Sequence, residues 1–291
     1  MSILIQQMLI YSIVFVLFIL AIILLEQKYL LRKRNNSLLP RLSINIALSI
    51  FTFVIVYFII FPAQNSTLSW TSNINIGLLY LLNLPPSACG IIAFLLMDLV
   101  FYYWHLLNHK IPFLWRFHNV HHIDPDMDVS TAFRFHFGEI GLSTVFRVIQ
   151  ISIIGISPAA FMIYDLCFIA NTIFQHSNIK LPIKFERILN KIIVTPRMHG
   201  IHHSQIKNET NSNYSTVFSW WDVIHKTIRL NIPQNKIKIG VPAYSMPGDN
   251  SIINVLILPF KKQRDYWKSN DGRSADEEKV FSFKERLKLE E

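Results

Sequence analysis

Met8 to Leu25 is an apolar run broken only by Tyr11 and Ser12, close to the roughly 20 residues that a helix needs to cross hydrocarbon. A first membrane span is expected there. Its positive charges, Lys28, Arg32, Lys33 and Arg34, follow the run, whereas a cleavable leader carries them in front, so the pattern predicts an uncleaved anchor with its start outside. Leu42 to Phe61 predicts a second span. No Lys or Arg falls between Leu42 and His109, so Pro62 to Pro86 is expected as an external loop, with Ile76 to Leu84 lying in the interface. Pro85 and Pro86 then open a third helix, Ser87 to about Asn108, which returns the chain to the cytoplasm.

From Lys110 onward the pattern turns basic and aromatic, as at Trp115, Arg116, Arg134, Lys180, Lys184, Arg187, Lys191 and Arg197. One apolar block interrupts it. Ile140 to Ile156 and Ala159 to Phe174, joined at Gly155, Ser157 and Pro158 with Arg147 and Asp165 inside, predict a helical hairpin that enters and leaves from the cytoplasmic side, spanning fully or dipping. Entering and returning keeps His118 to His136 on the same side as His176 to His203. Ile252 to Phe260, followed by Lys261, Lys262 and Arg264, resembles an interfacial strip, and Ser269 to Glu291 is a charged tail. The expected organisation is N-terminal transmembrane helices over residues 1–97, a catalytic domain over 98–230 containing the hairpin 140–174, and a cytosolic C-terminal segment over 231–291. The fold class is an all-α integral membrane protein with about three full transmembrane helices plus the hairpin, capped by a cytosolic helical His-rich region.

Composition agrees with a membrane setting. Of 291 residues 51% are apolar and 16% charged, and mean hydropathy is +0.32, too apolar for an ordinary soluble enzyme. The 28 Lys and Arg against 19 Asp and Glu leave a net +9, of which +6 falls after residue 109. Sharing the chain with long apolar runs, this excess fits a cytoplasmic membrane face better than nucleic acid. Cys89 and Cys167 stand singly, which excludes a disulfide framework, a zinc ribbon and an iron-sulfur site.

The metal chemistry rests with the eleven histidines. His105 and His109, at i and i+4, leave one helix face about a turn apart. His118, His121 and His122 form H-x-x-H-H, and His199, His202 and His203 repeat it. So many imidazoles gathered near a membrane face need a shared partner, for which a transition metal is the usual choice. The Glu of the zinc-peptidase H-E-x-x-H is missing, since Asn119 and Gly200 follow the leading histidines, so hydrolysis by that mechanism is not expected. The number of imidazoles exceeds what one catalytic zinc takes and suits two ions with open positions; imidazole suits iron, and open positions on iron are where dioxygen binds. Asp98, Tyr102, His105 and His109 share one stripe at i, i+4, i+7 and i+11, which makes Asp98 and Tyr102 either supports behind the imidazoles or ties to a neighbouring helix. Asp165 and His176 repeat the i, i+11 relation.

The order H-x-x-x-H, H-x-x-H-H, a lone His176 before Ser177 and Asn178, then H-x-x-H-H again resembles the fatty acid hydroxylase superfamily, which includes the sterol desaturases. The likeness runs from about Asp98 to Asp222 and extends to LWRFHNVHHIDPDMDVSTAFRFH, RMHGIHHS, the pair Asn213 and Tyr214, and Trp221 with Asp222. It implies a membrane-bound non-heme di-iron oxygenase, using dioxygen and two electrons to hydroxylate or desaturate a lipid C–H bond, whether of a sterol, a fatty acyl chain or a related lipid. It implies that His105, His109, His118, His121, His122, His176, His199, His202 and His203 bind two iron ions on the cytoplasmic face, with no catalytic group beyond the ligands. Two departures stand out. Family members often carry a further histidine four residues before the one matched by His176, where this chain has Thr172, which makes His136 a candidate tenth ligand. After Trp221 the chain reads Val223, Ile224, His225, Lys226 instead of an Arg and a Gly-containing turn, so His225 is expected to be structural.

The apolar faces of the third helix and the hairpin are the expected channel walls, with Phe101, Tyr102, Tyr103, Phe133, Phe135 and Phe137 near the mouth. The chain shows no G-x-G-x-x-G loop, cysteine cluster or heme-binding module, so an external electron donor is expected, a reductase, a ferredoxin or a b-type cytochrome. The competing class is a His-rich membrane metal transporter or sensor, but transporters place polar sites on broken helices at the midplane, whereas these histidines flank the spans.

Overall fold

The computed structural model describes residues 3–34, 36–269 and 272. Among the described residues every regular element is helical and no strand forms; isolated bridges pair Leu30 with Ile179, Ile193 with Phe218 and Ser204 with Ile239. The expected N-terminal span falls within one uninterrupted helix, α1 (Ile3–Lys28). Its far end is anchored by buried Glu26, whose carboxylate accepts from the backbone N–H groups of Val129 and Asn178 at 3.0 Å each.

The second element, α2 (Leu38–Ile55), carries a polar stripe on an otherwise apolar rod. Arg41, Asn45, Ser49 and Thr52 recur at helical spacing. Arg41 pairs with Asp124 at 3.0 Å and with Asp128, Asn45 Nδ2 donates to Asp124 at 3.1 Å, and the Ser49 and Thr52 hydroxyls reach the carbonyls of Phe133 and Phe135. The stripe therefore clamps the loop 123–136.

Beyond α2 the structure departs from the expected external loop over Pro62 to Pro86. A π-helical segment, Val56–Ile60, leads directly into α3 (Phe61–Ile74). Pro62 lies in the first turn after that π segment, where the i to i−4 ladder is already interrupted and its missing N–H costs little. Polar residues that spelled a loop satisfy themselves within the helix: Thr67 donates to the Ala63 carbonyl at 2.7 Å and Thr71 to that of Leu68 at 3.1 Å. The helix ends at Asn75, left-handed at φ 53°, and a single turn, α4 (Leu78–Leu81), follows.

The third span is α5 (Pro86–Lys110), opened by proline as expected; Pro112 then starts α6 (Pro112–His122). The hairpin is α7 (Phe137–Ile154) and α8 (Pro158–His176), turned by Gly155 at φ 70° and by Ser157, whose hydroxyl caps α8 through the Ala160 N–H. It runs beside α5 over most of its length, since Gly90 and Ala160 meet near the first turns of α5 and α8 while His105 and His176 stand near their last. A Cβ on Gly77 (φ 120°) would collide with the Gly155 backbone, so the turn after α3 is seated on the hairpin tip.

Short helices complete the cap: α9 (Ile183–Leu189), α10 (Pro196–His202), α11 (Lys207–Thr210), α12 (Trp220–Ile224) and α13 (Ile252–Ile257). The expected interfacial strip is α13 with the 3-10 turn Leu258–Phe260; Val255 and Leu258 pack into the cap core against Leu48, Trp115 and Val120, while Ile253 and Phe260 stay exposed. Of the charged tail, residues 270, 271 and 273–291 lie outside the described residues. A second core, with Leu68, Met97, Ile151 and Tyr164, fills the hairpin end, and a third joins α1 to the 3-10 turn Val129–Phe133.

Three stretches among the described residues are long and apolar enough to cross a bilayer, Leu38–Leu81, Pro86–Lys110 and Phe137–Ile154. Large apolar side chains point outward along them and along α8, as with Phe53, Phe58, Val145, Ile149, Ile153, Met162 and Leu166. Such a belt is stable against lipid and would be costly against water.

Candidate metal centre

Three helix ends and one hairpin leg deliver the histidines to one place. α5 brings His105 and His109 in its last turns. The chain reverses at Ile111 and Pro112 into α6, whose buried face carries His118, His121 and His122. α8 contributes His176 as its last residue. α10 is seven residues long, started by Pro196 and capped by the Thr195 hydroxyl on the Met198 N–H, and it presents His199 and His202, with His203 just beyond.

The nine rings fall into two groups in which each residue offers one donor atom within 4.8 Å of the others: His105, His109, His118, His122 and His202 in one, His121, His176, His199 and His203 in the other. The groups adjoin, with the His122 and His203 rings stacked at 4.3 Å between centroids. The hairpin starts and ends here, its first turn touching His118 through Glu139 and its last residue facing His121, so both of its ends meet the histidines.

Ring protonation follows from the partners. His118 Nδ1 donates to Glu139 Oε1 at 2.7 Å, His105 Nδ1 to the Tyr214 carbonyl at 2.8 Å, and His121 Nδ1 to that of Arg134 at 3.2 Å. His176 and His202 donate likewise to the carbonyls of Thr172 and Ser212, at 2.7 Å each. These partners only accept, so each Nδ1 carries the proton and each Nε2 of a neutral ring is a bare lone pair. Yet His121 Nε2 and His176 Nε2 stand 3.0 Å apart. Two lone pairs at that distance repel unless a cation lies between them.

Neighbouring separations repeat the spacing: His118 to His122 is 3.2 Å, His176 to His199 3.0 Å and His199 to His203 3.2 Å, all between Nε2 atoms. Donors bound at about 2.1 Å in tetrahedral or octahedral geometry stand about 3.0–3.4 Å apart. Two more Nε2 atoms, those of His109 and His202, are buried without a hydrogen-bond partner. Burial, reinforced by neighbouring imidazoles, holds His121, His122, His199 and His203 well below the ordinary histidine value, and burial holds His202 at about 3. These five rings are therefore neutral at physiological pH. Donor type, spacing, orphaned nitrogens and neutrality all fit a pair of transition-metal ions.

Several expected residues serve differently. His136 reaches neither group: Nδ1 accepts from the Gly138 N–H at 2.9 Å and Nε2 faces the Leu256 carbonyl at 3.0 Å, so it caps α7. Asp98 supports the site at one remove. Its carboxylate accepts from the N–H groups of Val217 and Phe218, at 3.2 and 2.9 Å, and from the Trp221 indole at 2.7 Å. With Asp222, which accepts from the N–H groups of Tyr214 and Ser215, it fixes the loop whose Ser212 and Tyr214 carbonyls orient His202 and His105. Left-handed Asn213 (φ 53°) sits between those two carbonyls and donates to the Met198 carbonyl of α10. Tyr102 bonds Thr227 and stacks on His225, which takes the Tyr103 hydroxyl at 2.7 Å and belongs to neither group. Asp165 is not the partner of His176, whose Nδ1 is held by Thr172. Thr172 stands beside His176 in the cavity wall, and the group containing His176 has four donors to the other's five.

The supporting roles of Glu139 and Arg134 were not legible in the sequence. Neither is a histidine-motif position, and each reaches its histidine through the turn of the 123–136 loop that folds the chain back onto α6. From the rings a cavity of about 270 Å³ opens into the helix bundle, lined by Phe101, Trp104, Phe135, Phe168, Arg147 and Asp165 among others. Of the aromatics expected at a channel mouth, Phe101 and Phe135 line it; Phe133 packs toward α1 and Phe137 against His136.

Comparison with known proteins returns a family model described as fatty acid hydroxylase, matched over residues 90–227, a stretch that contains both groups of histidines. Cholesterol 25-hydroxylase of Mus musculus is 29% identical over 141 residues, covering 48% of this chain and 46% of that protein. Ornithine lipid hydroxylase OlsE of Rhizobium tropici is 26% identical over 183 residues, covering 62% and 52%. Alkylglycerol monooxygenase of Homo sapiens is 30% identical over 142 residues, covering 46% and 29%. The chain spans about half the length of the first of these relatives. No solved structure matches.

Proposed function

Because the chain belongs to the fatty acid hydroxylase superfamily, with the sterol desaturases, we propose that it is a membrane-bound di-iron oxygenase that hydroxylates a lipid. The observation that carries this reading is the pair of imidazole groups, with lone pairs facing each other, at the head of an apolar cavity inside a helix bundle. The nine histidines hold two iron ions, His105, His109, His118, His122 and His202 the first and His121, His176, His199 and His203 the second. When bound, the iron pair supplies reductive activation of dioxygen for attack on an unactivated C–H bond, with one oxygen atom entering the lipid, the other leaving as water, and two electrons and two protons consumed.

The protein's own share is geometry. Glu139 and the carbonyls of Thr172, Arg134, Ser212 and Tyr214 fix five rings by their Nδ1–H groups, so the Nε2 atoms are aimed before metal arrives. Phe101, Phe135 and Phe168 keep water from the reacting carbon and let a lipid enter from the bilayer in which it is dissolved. The histidines lie on the cytoplasmic face of a multi-pass protein, where the basic excess after residue 109 sits. Electrons come from a separate reductase, ferredoxin or b-type cytochrome.

The test is lipid analysis of cells expressing the chain, compared with cells expressing the His121→Ala variant. The wild type should add a lipid heavier by one oxygen atom, and the variant should insert normally and add none. Equal lipid profiles with a reducing partner present would refute the assignment.

A further inference from the structure

The wall of the cavity holds a charge that the metal centre does not use. Arg147, eight residues beyond Glu139 on α7, is 7% exposed, lines the cavity, and its Nη1 is buried with no hydrogen-bond partner. Its guanidinium carbon lies 5.2 Å from the ring centroids of Phe101 and Phe168, 5.4 Å from Tyr164 and 5.9 Å from Phe161. Aromatic faces offset part of the cost of the charge and Tyr164 shares a side-chain hydrogen bond with Arg147, which still leaves Nη1 without an acceptor. Asp165 of α8 lines the same cavity. An ionisable side chain at this depth in a span is costly to keep and has a partner or a task.

The distance to the metal ligands follows from helix rise. Eight residues separate Arg147 from Glu139 and eleven separate Asp165 from His176, or about 12 and 16 Å along the two legs. A donor and an acceptor, a charged pair in a mostly apolar cavity wall that also holds Gln64, Ser143, Thr144 and Gln175, thus lie two to three turns from the oxidising end. Resting on the oxygenase reading, we propose that Arg147 and Asp165 bind the hydroxyl group of the substrate, a lipid with one small neutral polar end, so that a carbon of its apolar tail lies at the metal centre.

The chemistry separates this class from others. A hydroxyl accepts from Arg147 and donates to Asp165, satisfying both at once. A carboxylate gains the first and is repelled by the second. A phosphate or zwitterionic head group would have to leave the interface and cross hydrocarbon to reach this point, whereas a single hydroxyl crosses at far lower cost. With its hydroxyl held there, the lipid presents its opposite end to oxidation.

Binding tests this without turnover. The probes are dodecanol, dodecane and dodecanoate, titrated into the full chain in nanodiscs and read by tryptophan emission, Trp104 being in the cavity wall. After correction for partition into the lipid, the wild type should bind dodecanol at least tenfold more tightly than dodecane and more tightly than dodecanoate. Arg147→Met should abolish the preference over dodecane while leaving dodecane binding unchanged, which loss of fold would not do. Asp165→Asn should narrow the gap between dodecanoate and dodecanol. Equal wild-type affinity for alcohol and alkane would overturn the proposal, as would a preference that survives Arg147→Met. Should that variant not fold, Arg147→Lys, which keeps a donor, must retain the preference. A chain that discriminates yet oxidises no lipid would sink the oxygenase reading and leave this site standing.

Discussion

Glu139→Ala isolates one support of one metal ion. In the native chain its carboxylate accepts the His118 Nδ1–H at 2.7 Å, with both side chains buried. Alanine leaves that N–H unpaired in the interior, at about 1–3 kcal/mol, and frees the ring to rotate. Loss of such a partner lowers metal affinity about 10- to 100-fold, which is about 1.4–2.8 kcal/mol at 1.4 kcal/mol per decade. The two magnitudes agree, so the unpaired donor accounts for the weakening. Because His118 belongs to the group of five, the effect falls on one ion. Iron-loaded protein in detergent, titrated with a chelator, should release one ion per chain at a chelator concentration about 10- to 100-fold below wild type, with the second ion unmoved. Glu139→Gln, which keeps an acceptor, should restore most of the affinity. Simultaneous release of both ions, or no shift at all, would refute the division into two groups.

Asp98→Ala orphans two backbone N–H groups and the Trp221 indole, at about 1–3 kcal/mol each; thermal unfolding in detergent should shift down by several degrees, and an unchanged midpoint would show that the 212–222 loop is held elsewhere. Gly77→Ala drives a Cβ into the Gly155 backbone from a positive φ and should destabilise by about 1–3 kcal/mol without changing metal affinity, since the contact lies at the far end of the hairpin. In the metal-free protein, folded His121, His122, His199, His202 and His203 stay neutral, while the unfolded chain takes up protons below about pH 6.5. Stability should therefore fall as pH drops from about 6.5 toward 3, by up to about 1.4 kcal/mol per unit for each histidine, and be insensitive to these groups above pH 7.5. Chemical denaturation at pH 7.5 and 5.5 would measure it, and equal stability at the two values would contradict neutral buried rings.

The spans were legible because an apolar run of about twenty residues matches the thickness of hydrocarbon, and the hairpin because Gly155, Ser157 and Pro158 interrupt a run too long to cross once. α3 was hidden by its own chemistry: Pro62, Ser66, Thr67, Ser69, Thr71 and Ser72 are loop residues by type, and the π segment before them and the bonds of the Thr67 and Thr71 hydroxyls to preceding carbonyls let the helix continue. The histidine groups could be located by spacing but not partitioned. His121 leaves its neighbours His118 and His122 to join His176, His199 and His203, because i+3 on α6 points across the gap to α8. Support residues were least visible. Asp98 shares a stripe with His105 yet serves it through Trp221, the 217–218 backbone and a loop more than a hundred residues away, and His136, adjacent to the motif run, is consumed as a helix cap.

Metal stoichiometry of the full chain tests the central claim most directly. Protein purified from iron-replete cells and counted by elemental analysis should hold two iron ions per polypeptide, still two after His136→Ala or His225→Ala, and fewer after His121→Ala or His109→Ala. A wild-type chain that saturates well below two ions, or that keeps both when His121 and His109 are removed together, would contradict it.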